Sequence, residues 1–413
     1  MRMGSANTYD NALQNLYTRQ SELSNQQEKL TSGKNINRPS DDPTGAGQAE
    51  RAMTRIARVA TDQRALEVQR NAITASEATL GEATSLMQSI RVLVVNAGNA
   101  SFTNIDRTTV AQQLSGLRAQ LFSLANRTDT NGIPLFSGLG SASAPFTDAS
   151  TGVIFNGVAG QRASTETTLP GAMDGQAIWM NVASGNGTFN LALPTTNTGT
   201  LSTDMGTIGL PAVTDSYSVE FAVDTTVSPS VTTYQIKNST GVIVVPVQAD
   251  PSATPPVTLG PTPIYVAGKS IALGSSGMSF VAQGAPATGD LVTISPSTKS
   301  NVFNLIDQAI AGIQSKTTAG VTQAISVGLT QIDASMSKIS MARGQAGDWM
   351  NRADNITSTL TGRTLQLTSD KSRIEDLDMI QGYSDFTRIN TGYQAALQSY
   401  AQVQKLSLFN YIS

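Results

Sequence analysis

The chain contains no histidine and no cysteine. The commonest general base and the commonest zinc ligand are therefore missing. Thiol catalysis, disulfides, thiolate metal sites and iron–sulfur clusters are excluded outright, and folding has no dependence on redox compartment. Aromatic residues make up only 5% of the 413 residues, which limits the size of any single globular core. Net charge is −3, from 27 basic and 30 acidic residues, so no overall field favours nucleic acid or an acidic membrane. Long apolar runs are scarce as well. In the helical arms the most apolar stretch, Ile90 to Val95, is interrupted by Arg91 and is too short to span a bilayer. Met1 to Leu30 is polar and shows no secretory apolar run or cleavage site, so any export is expected to use a route without a cleaved signal.

Proline is scarce at both ends and concentrated in the middle. Of 16 prolines, 13 lie between Pro145 and Pro296, none from Thr44 to Ile133 and none after Pro296. A proline inside a helix costs roughly 3 kcal/mol, so the flanking stretches are permissive for long helix and the middle is not. Charge changes at the same borders: residues 141–297 hold 3 basic and 9 acidic residues, a local net of −6, and the arms the remaining 24 basic and 21 acidic. The expected fold is multidomain α+β, with long terminal helices pairing as a coiled coil or bundle around an inserted antiparallel β domain. The expected division places terminal coiled-coil segments at 1–43 and 372–413, a helical bundle at 44–140 and 298–371, and a β-rich outer domain at 141–297.

What the arms do contain is periodicity. Tyr9, Leu13, Leu16, Gln20, Leu23, Gln27 and Leu30 alternate spacings of four and three, as do Phe386, Ile389, Tyr393, Ala396, Tyr400 and Val403. Each set forms an apolar seam that is stable only when another helix covers it. The two seams are expected to pair with each other, and Gln20 and Gln27 to leave the pair too weak to be satisfied alone. Between them, Ala52, Val59, Leu66, Ile73, Leu80, Met87 and Val94 recur at a strict period of seven and imply a helix of about 50 residues. The intervening positions are mixed, with Gln63, Arg70 and Glu77. Val110, Leu114, Leu117, Leu121 and Leu124 mark a third helix. On the return, Val302, Ile306, Ala309 and Ile313 open a helix, Gly320 marks a break, and a periodic run from Ile325 to Leu367 follows, with Arg343 and Thr357 among its polar positions. The middle reads as short strands such as 217–223, 232–236, 242–247 and 291–294, in one sandwich or barrel-like domain, either whole or split in two.

The carboxylate pairs Asp41-Asp42 and Glu375-Asp376 invite a catalytic or metal reading. Both sit at helix boundaries, where acidic residues meet the helix dipole, and no histidine completes a site. Gly45-Ala46-Gly47 lacks the lysine and the preceding strand of a phosphate loop. Neither a catalytic residue, a cofactor nor a metal site is expected.

Leu30-Thr31-Ser32-Gly33-Lys34-Asn35-Ile36-Asn37 followed by Pro39-Ser40-Asp41-Asp42-Pro43-Thr44-Gly45 closely resembles the N-terminal signature of the bacterial flagellin family. Ser372-Arg373-Ile374-Glu375-Asp376-Leu377-Asp378 resembles its C-terminal counterpart. Asn131-Gly132-Ile133-Pro134-Leu135-Phe136-Ser137-Gly138 and the stretch Ala396 to Ile412 are similar to the branch of that family found at the hook–filament junction. The resemblance implies an extracellular structural protein of the flagellum, exported by its type III route. A cytosolic chaperone would hold it before export. It would then form a homo-oligomeric ring through the terminal seams, between a hook-associated protein on the hook side and flagellin on the filament side. Nucleic acid and membrane insertion have no part in it. Filament flagellin is the nearest rival; a membrane-bound coiled-coil receptor and an enzyme inserted between helical arms fit less well.

Overall fold

The computed structural model describes residues 5–141, 144–194, 196–207, 215–246, 260–273, 277–315 and 317–412, without the side chains of 5–9 and 403–412. Six α-helices are present among these: α1 (Ser5–Ser32), α2 (Pro43–Ala97), α3 (Asn104–Ala125), α4 (Val302–Ile313), α5 (Thr318–Glu375) and α6 (Met379–Ile412). The chain forms two compact units, Met1–Leu66 with Asn355–Ser413, and Glu67–Asp354.

In the larger unit the period of seven becomes a core. Ile73, Leu80, Met87 and Val94 are all buried, as are Ile332, Ile339, Ala342, Ala346 and Ala353 on α5. The polar positions beside this seam are used as cross-helix ties. Arg70 Nη2 lies 3.2 Å from Asp354 Oδ1, Arg343 Nη2 2.6 Å from Glu77 Oε1, and Arg91 Nε 2.8 Å from Asp333 Oδ1. As one strand of this ladder rises in number the other falls, so α2 and α5 run antiparallel. Helix α3 opens on a capping box: Thr103 N–H donates to Asp106 Oδ2 and Asp106 N–H to Thr103 Oγ1. The break before α5 falls at residues 314–317 rather than at Gly320, which lies in the first turn of the helix. The Thr317 hydroxyl receives the Gly320 N–H there, and a side-chain cap starts a helix as effectively as a glycine stops one.

All strands among the described residues lie between Phe146 and Ser300. One sheet has five antiparallel strands: β4 (Phe189–Ala192), β11 (Leu291–Pro296), β6 (Tyr217–Asp224), β7 (Val231–Asn238) and β8 (Ile243–Val245), in that order. A second has the order β5 (Ser202–Thr203), β10 (Ser279–Gln283), β9 (Ser270–Ala272). Phe189, Leu191, Val219, Phe221, Ile236, Val292 and Ile294 of the first sheet share one core with Ile271, Phe280 and Ala282 of the second. The expected strand over 242–247 is shorter, and Val247 lies outside the described residues.

The hairpin of β1 (Phe146–Ala149) and β2 (Gly152–Phe155), and the π-helical turn Gln176–Met180, pack elsewhere. Phe303 of α4 meets Phe122, Phe146 and Trp179 at ring-centroid distances of 5.6, 6.3 and 6.0 Å. The Arg118 guanidinium covers Phe303 at 5.7 Å while paired with Asp148 and Asp307. A cluster of aromatic residues thus forms where the start of the β-rich segment is seated on α3 and α4. The two-residue pair β3 (Val182–Ala183) and β12 (Lys299–Ser300) closes the segment. Leu135, Phe136 and Ser137 are buried, and the Gly138 N–H donates to Met173 O, so that motif serves packing here.

Candidate assembly surface

The two terminal signatures meet in the smaller unit as a clasp. Helix α1 ends at Ser32, whose Oγ accepts the Lys34 N–H, and Gly33 follows at φ +69°, the left-handed conformation of a helix C-cap. The chain then pairs with the end of α5: Asn35 N–H donates to Glu375 O at 2.7 Å and Leu377 N–H to Gly33 O at 2.9 Å, with Lys34 opposite Asp376. Asp41 Oδ2 accepts the N–H groups of Asn37 and Arg38, Asp42 Oδ1 accepts that of Thr44, and Pro43 is the first residue of α2. Ile36 is buried, and a Cβ added at Gly45 would lie 2.4 Å from Asp42 Oδ2 and 2.7 Å from Ile36 Cδ1. Gly45 therefore keeps the loop close to the helix start.

On the other side, Ser372 Oγ bonds Asp376 and Asp378 Oδ1 caps α6 by accepting Ile380 and Gln381 N–H. Arg373 pairs with Asp370, and Ile374 is half-buried. Glu375 corrects the dipole reading. It occupies the last turn of α5, where the dipole disfavours an anion, and it is held instead by Lys34 Nζ at 2.5 Å and Lys371 Nζ at 3.3 Å. The Lys34 hydrogen bond keeps the Glu375 carboxyl below its ordinary value of 4.5, and the same bond raises Lys34 above 10.5. Backbone N–H bonds from Arg38 and Asn37 likewise lower Asp41.

The sign of the pH effect follows from these directions. The Glu375 contribution is complete above 4.5 and lost as pH falls through the lowered value; the Lys34 contribution is complete below 10.5 and lost as pH rises through the raised one. Protection of the Asn35 and Leu377 amides, relative to their intrinsic exchange rates, is expected to fall below pH 4.5 in the wild type. In Glu375→Gln it is expected to be low already at neutral pH, without that acid edge.

Beyond the clasp, α1 and α6 pack antiparallel. Gln26 Nε2 donates to Gly382 O at 2.9 Å, Leu30 lies beside Gly382, and Arg19 lies beside Gly392. Leu13, Leu16, Leu23 and Leu30 on one helix, and Phe386, Ile389, Tyr393, Ala396 and Tyr400 on the other, are each half-covered. The Tyr9 and Val403 side chains lie outside the described residues. Gln20 and Gln27 are exposed, and the Gln26 side chain is the one turned to α6. Among the described residues no side chain in either helix is fully buried.

Helix α6 carries a second apolar face. On α6, Met379, Ile380, Tyr383 and Leu397 are exposed at 52, 86, 68 and 40%. A shallow groove of about 600 Å³ runs along Ile380, Tyr383, Ser384, Thr387, Arg388 and Thr391. Its signal, Ile380 to Tyr383 to Leu397 at helical spacing, is interrupted by Thr387 and Thr391, and so it reads as polar surface. Among the described residues no group of three or more Asp and Glu is placed to hold a metal ion, and no helix is long and apolar enough to cross a membrane.

Comparison with known proteins matches these regions. Residues 5–141 match the bacterial flagellin N-terminal helical region and residues 329–412 the bacterial flagellin C-terminal helical region, together more than half of the chain. Flagellar hook-associated protein 3 of Salmonella typhimurium is 32% identical over 160 residues, covering 37% of this chain and 48% of that protein. The chain thus spans about half the length of the hook-associated relatives it matches. A flagellin of Clostridium tyrobutyricum is 25% identical over 404 residues, covering 96% of this chain and 97% of its own. Among solved structures, the flagellar junction protein FlgL from Legionella pneumophila is similar with a TM-score of 0.65 at 27% identity, covering 75% of this chain and 99% of that one. Both signatures that build the clasp fall within the matched terminal regions, and the chain belongs to the bacterial flagellin family.

Proposed function

We propose that the chain is a structural component of the flagellum that joins hook to filament, assembling through α1 and α6. The observation that carries this reading is the terminal helix pair: it is clasped by the two signatures, yet none of its described side chains is fully buried. A helix pair so incompletely covered gains most of its stability from neighbours. Likeness of fold to a junction protein, with a TM-score of 0.65 over 99% of that protein's chain, supports the junction reading.

In this reading the seam residues Leu13 to Leu30 and Phe386 to Tyr400 hold the pair together, and Ile380, Tyr383 and Leu397 meet the next subunit of a ring. A hook-associated protein lies on one side of the ring and flagellin on the other. A cytosolic chaperone covers the C-terminal helix before export by the type III route, and the protein performs no enzymatic reaction. The terminal segments 1–43 and 372–413 form the inner tube, 44–140 with 298–371 the bundle, and 141–297 the outer domain.

Immunogold labelling with antibody against residues 141–297 tests the placement. Label confined to the hook–filament boundary is the expected result. Label along the whole filament would replace the junction reading with flagellin.

A further inference from the structure

Residues 161–173 carry no strand or helix, yet the segment is closely tied. Its base is closed by Asp174 N–H donating to Gln161 Oε1 and Gln161 Nε2 donating to Ala172 O, while Gly160 N–H donates to Asp174 Oδ2. Inside it, Thr165 N–H donates to Thr168 O and the two hydroxyls meet at 2.7 Å. This is a compact loop with its ends close together, of the kind often given a task of its own.

Its far end touches both long helices at one level. The Leu169 N–H donates to Gln69 Oε1 on α2 at 2.7 Å, with Leu169 and Pro170 buried. Arg352 Nη2 on α5 donates to Thr165 O at 3.2 Å. One direct polar tie between the helices at this level is the Arg70–Asp354 pair, whose side chains are 44 and 62% exposed. An ion pair so exposed holds little by itself. We propose that the 161–173 loop is a strap across the outgoing and returning helices, fixing their spacing at Gln69 and Arg352, and that its release lets the pair open locally there.

Gln69→Ala and Arg352→Ala in the full chain isolate the strap. Gln69 is half-buried and Arg352 exposed, so neither truncation empties the core. Alanine is the strongest helix former, so neither weakens the helix it sits on. Hydrogen exchange in residues 67–76 and 345–354 is expected to quicken about five- to tenfold in the double variant, the scale of lost net hydrogen bonds. Exchange in β6, β7 and β11 should not change, and Glu166→Gln, on the exposed part of the loop, should leave both helices as they were. Unchanged helix exchange in the double variant would overturn the strap. So would faster exchange spread equally through the sheet, because that marks general destabilisation.

Discussion

Ile380→Asp combined with Tyr383→Asp is expected to leave the monomer folded and to abolish its assembly. Both side chains project from α6 away from the α1 seam, at 86 and 68% exposure, so the monomer gives up almost no packing when they become polar. In an assembled ring the same positions would carry two carboxylates into a contact with no partner. An uncompensated buried charge costs about 3–5 kcal/mol, so two of them weaken association by at least roughly 10⁴-fold. Circular dichroism should match the wild type, sedimentation should show monomer only, and cells carrying the variant should fail to hold a filament. Removing residues 380–413 should act the same way but also strip the cover from α1. Normal assembly of the double variant would move the contact surface to another face.

Phe303→Ala is expected to be the most damaging single truncation in the larger unit. Phe303 is fully buried, stacks on Trp179, meets Phe122 and Phe146 and lies under Arg118. Deleting a ring from such a site costs about 3–5 kcal/mol, transfer and cavity together. The loss would also unseat the β1–β2 hairpin, because Phe146 has its neighbours on α3 and α4. Urea unfolding followed by tryptophan fluorescence reads it directly, since Trp179 is buried against the missing ring and Trp349 is only half-buried. A change below about 1 kcal/mol would mean that the helices, not the aromatic cluster, carry this region.

The helical arms were legible from residue spacing alone. Every member of the series Ala52 to Val94 is buried, and the strand readings at 217–223, 232–236 and 291–294 fall inside β6, β7 and β11. Composition and period report on one element at a time, and long proline-poor heptads allow few alternatives. Spacing is silent where two distant elements decide the outcome. Arg70, Glu77 and Arg343 looked like flaws in an apolar seam; only with α5 alongside α2 do they become ties. Gln20 and Gln27 hold seam positions by count and are exposed, while Gln26 is the residue that bonds α6, a partner choice that spacing alone does not show. Glu375 looked like a favourable dipole partner and is instead an anion at the wrong end of a helix, rescued by two lysines.

By itself the amino-acid order determined that this protein has helical arms, a proline-bounded β insert and no histidine or thiol chemistry, because those properties depend on local backbone preference and on which functional groups exist at all. It also carried the two signatures, as separate strings near opposite ends. Tertiary structure decided that those strings close on each other through Gly33, Asn35, Glu375 and Leu377, and which apolar face of α6 stays exposed once α1 has taken the other. A helix with two partly apolar faces does not encode which one its own chain will cover. That choice follows from the register set at the clasp, where Gly33 bends the chain and Glu375 is pinned between Lys34 and Lys371.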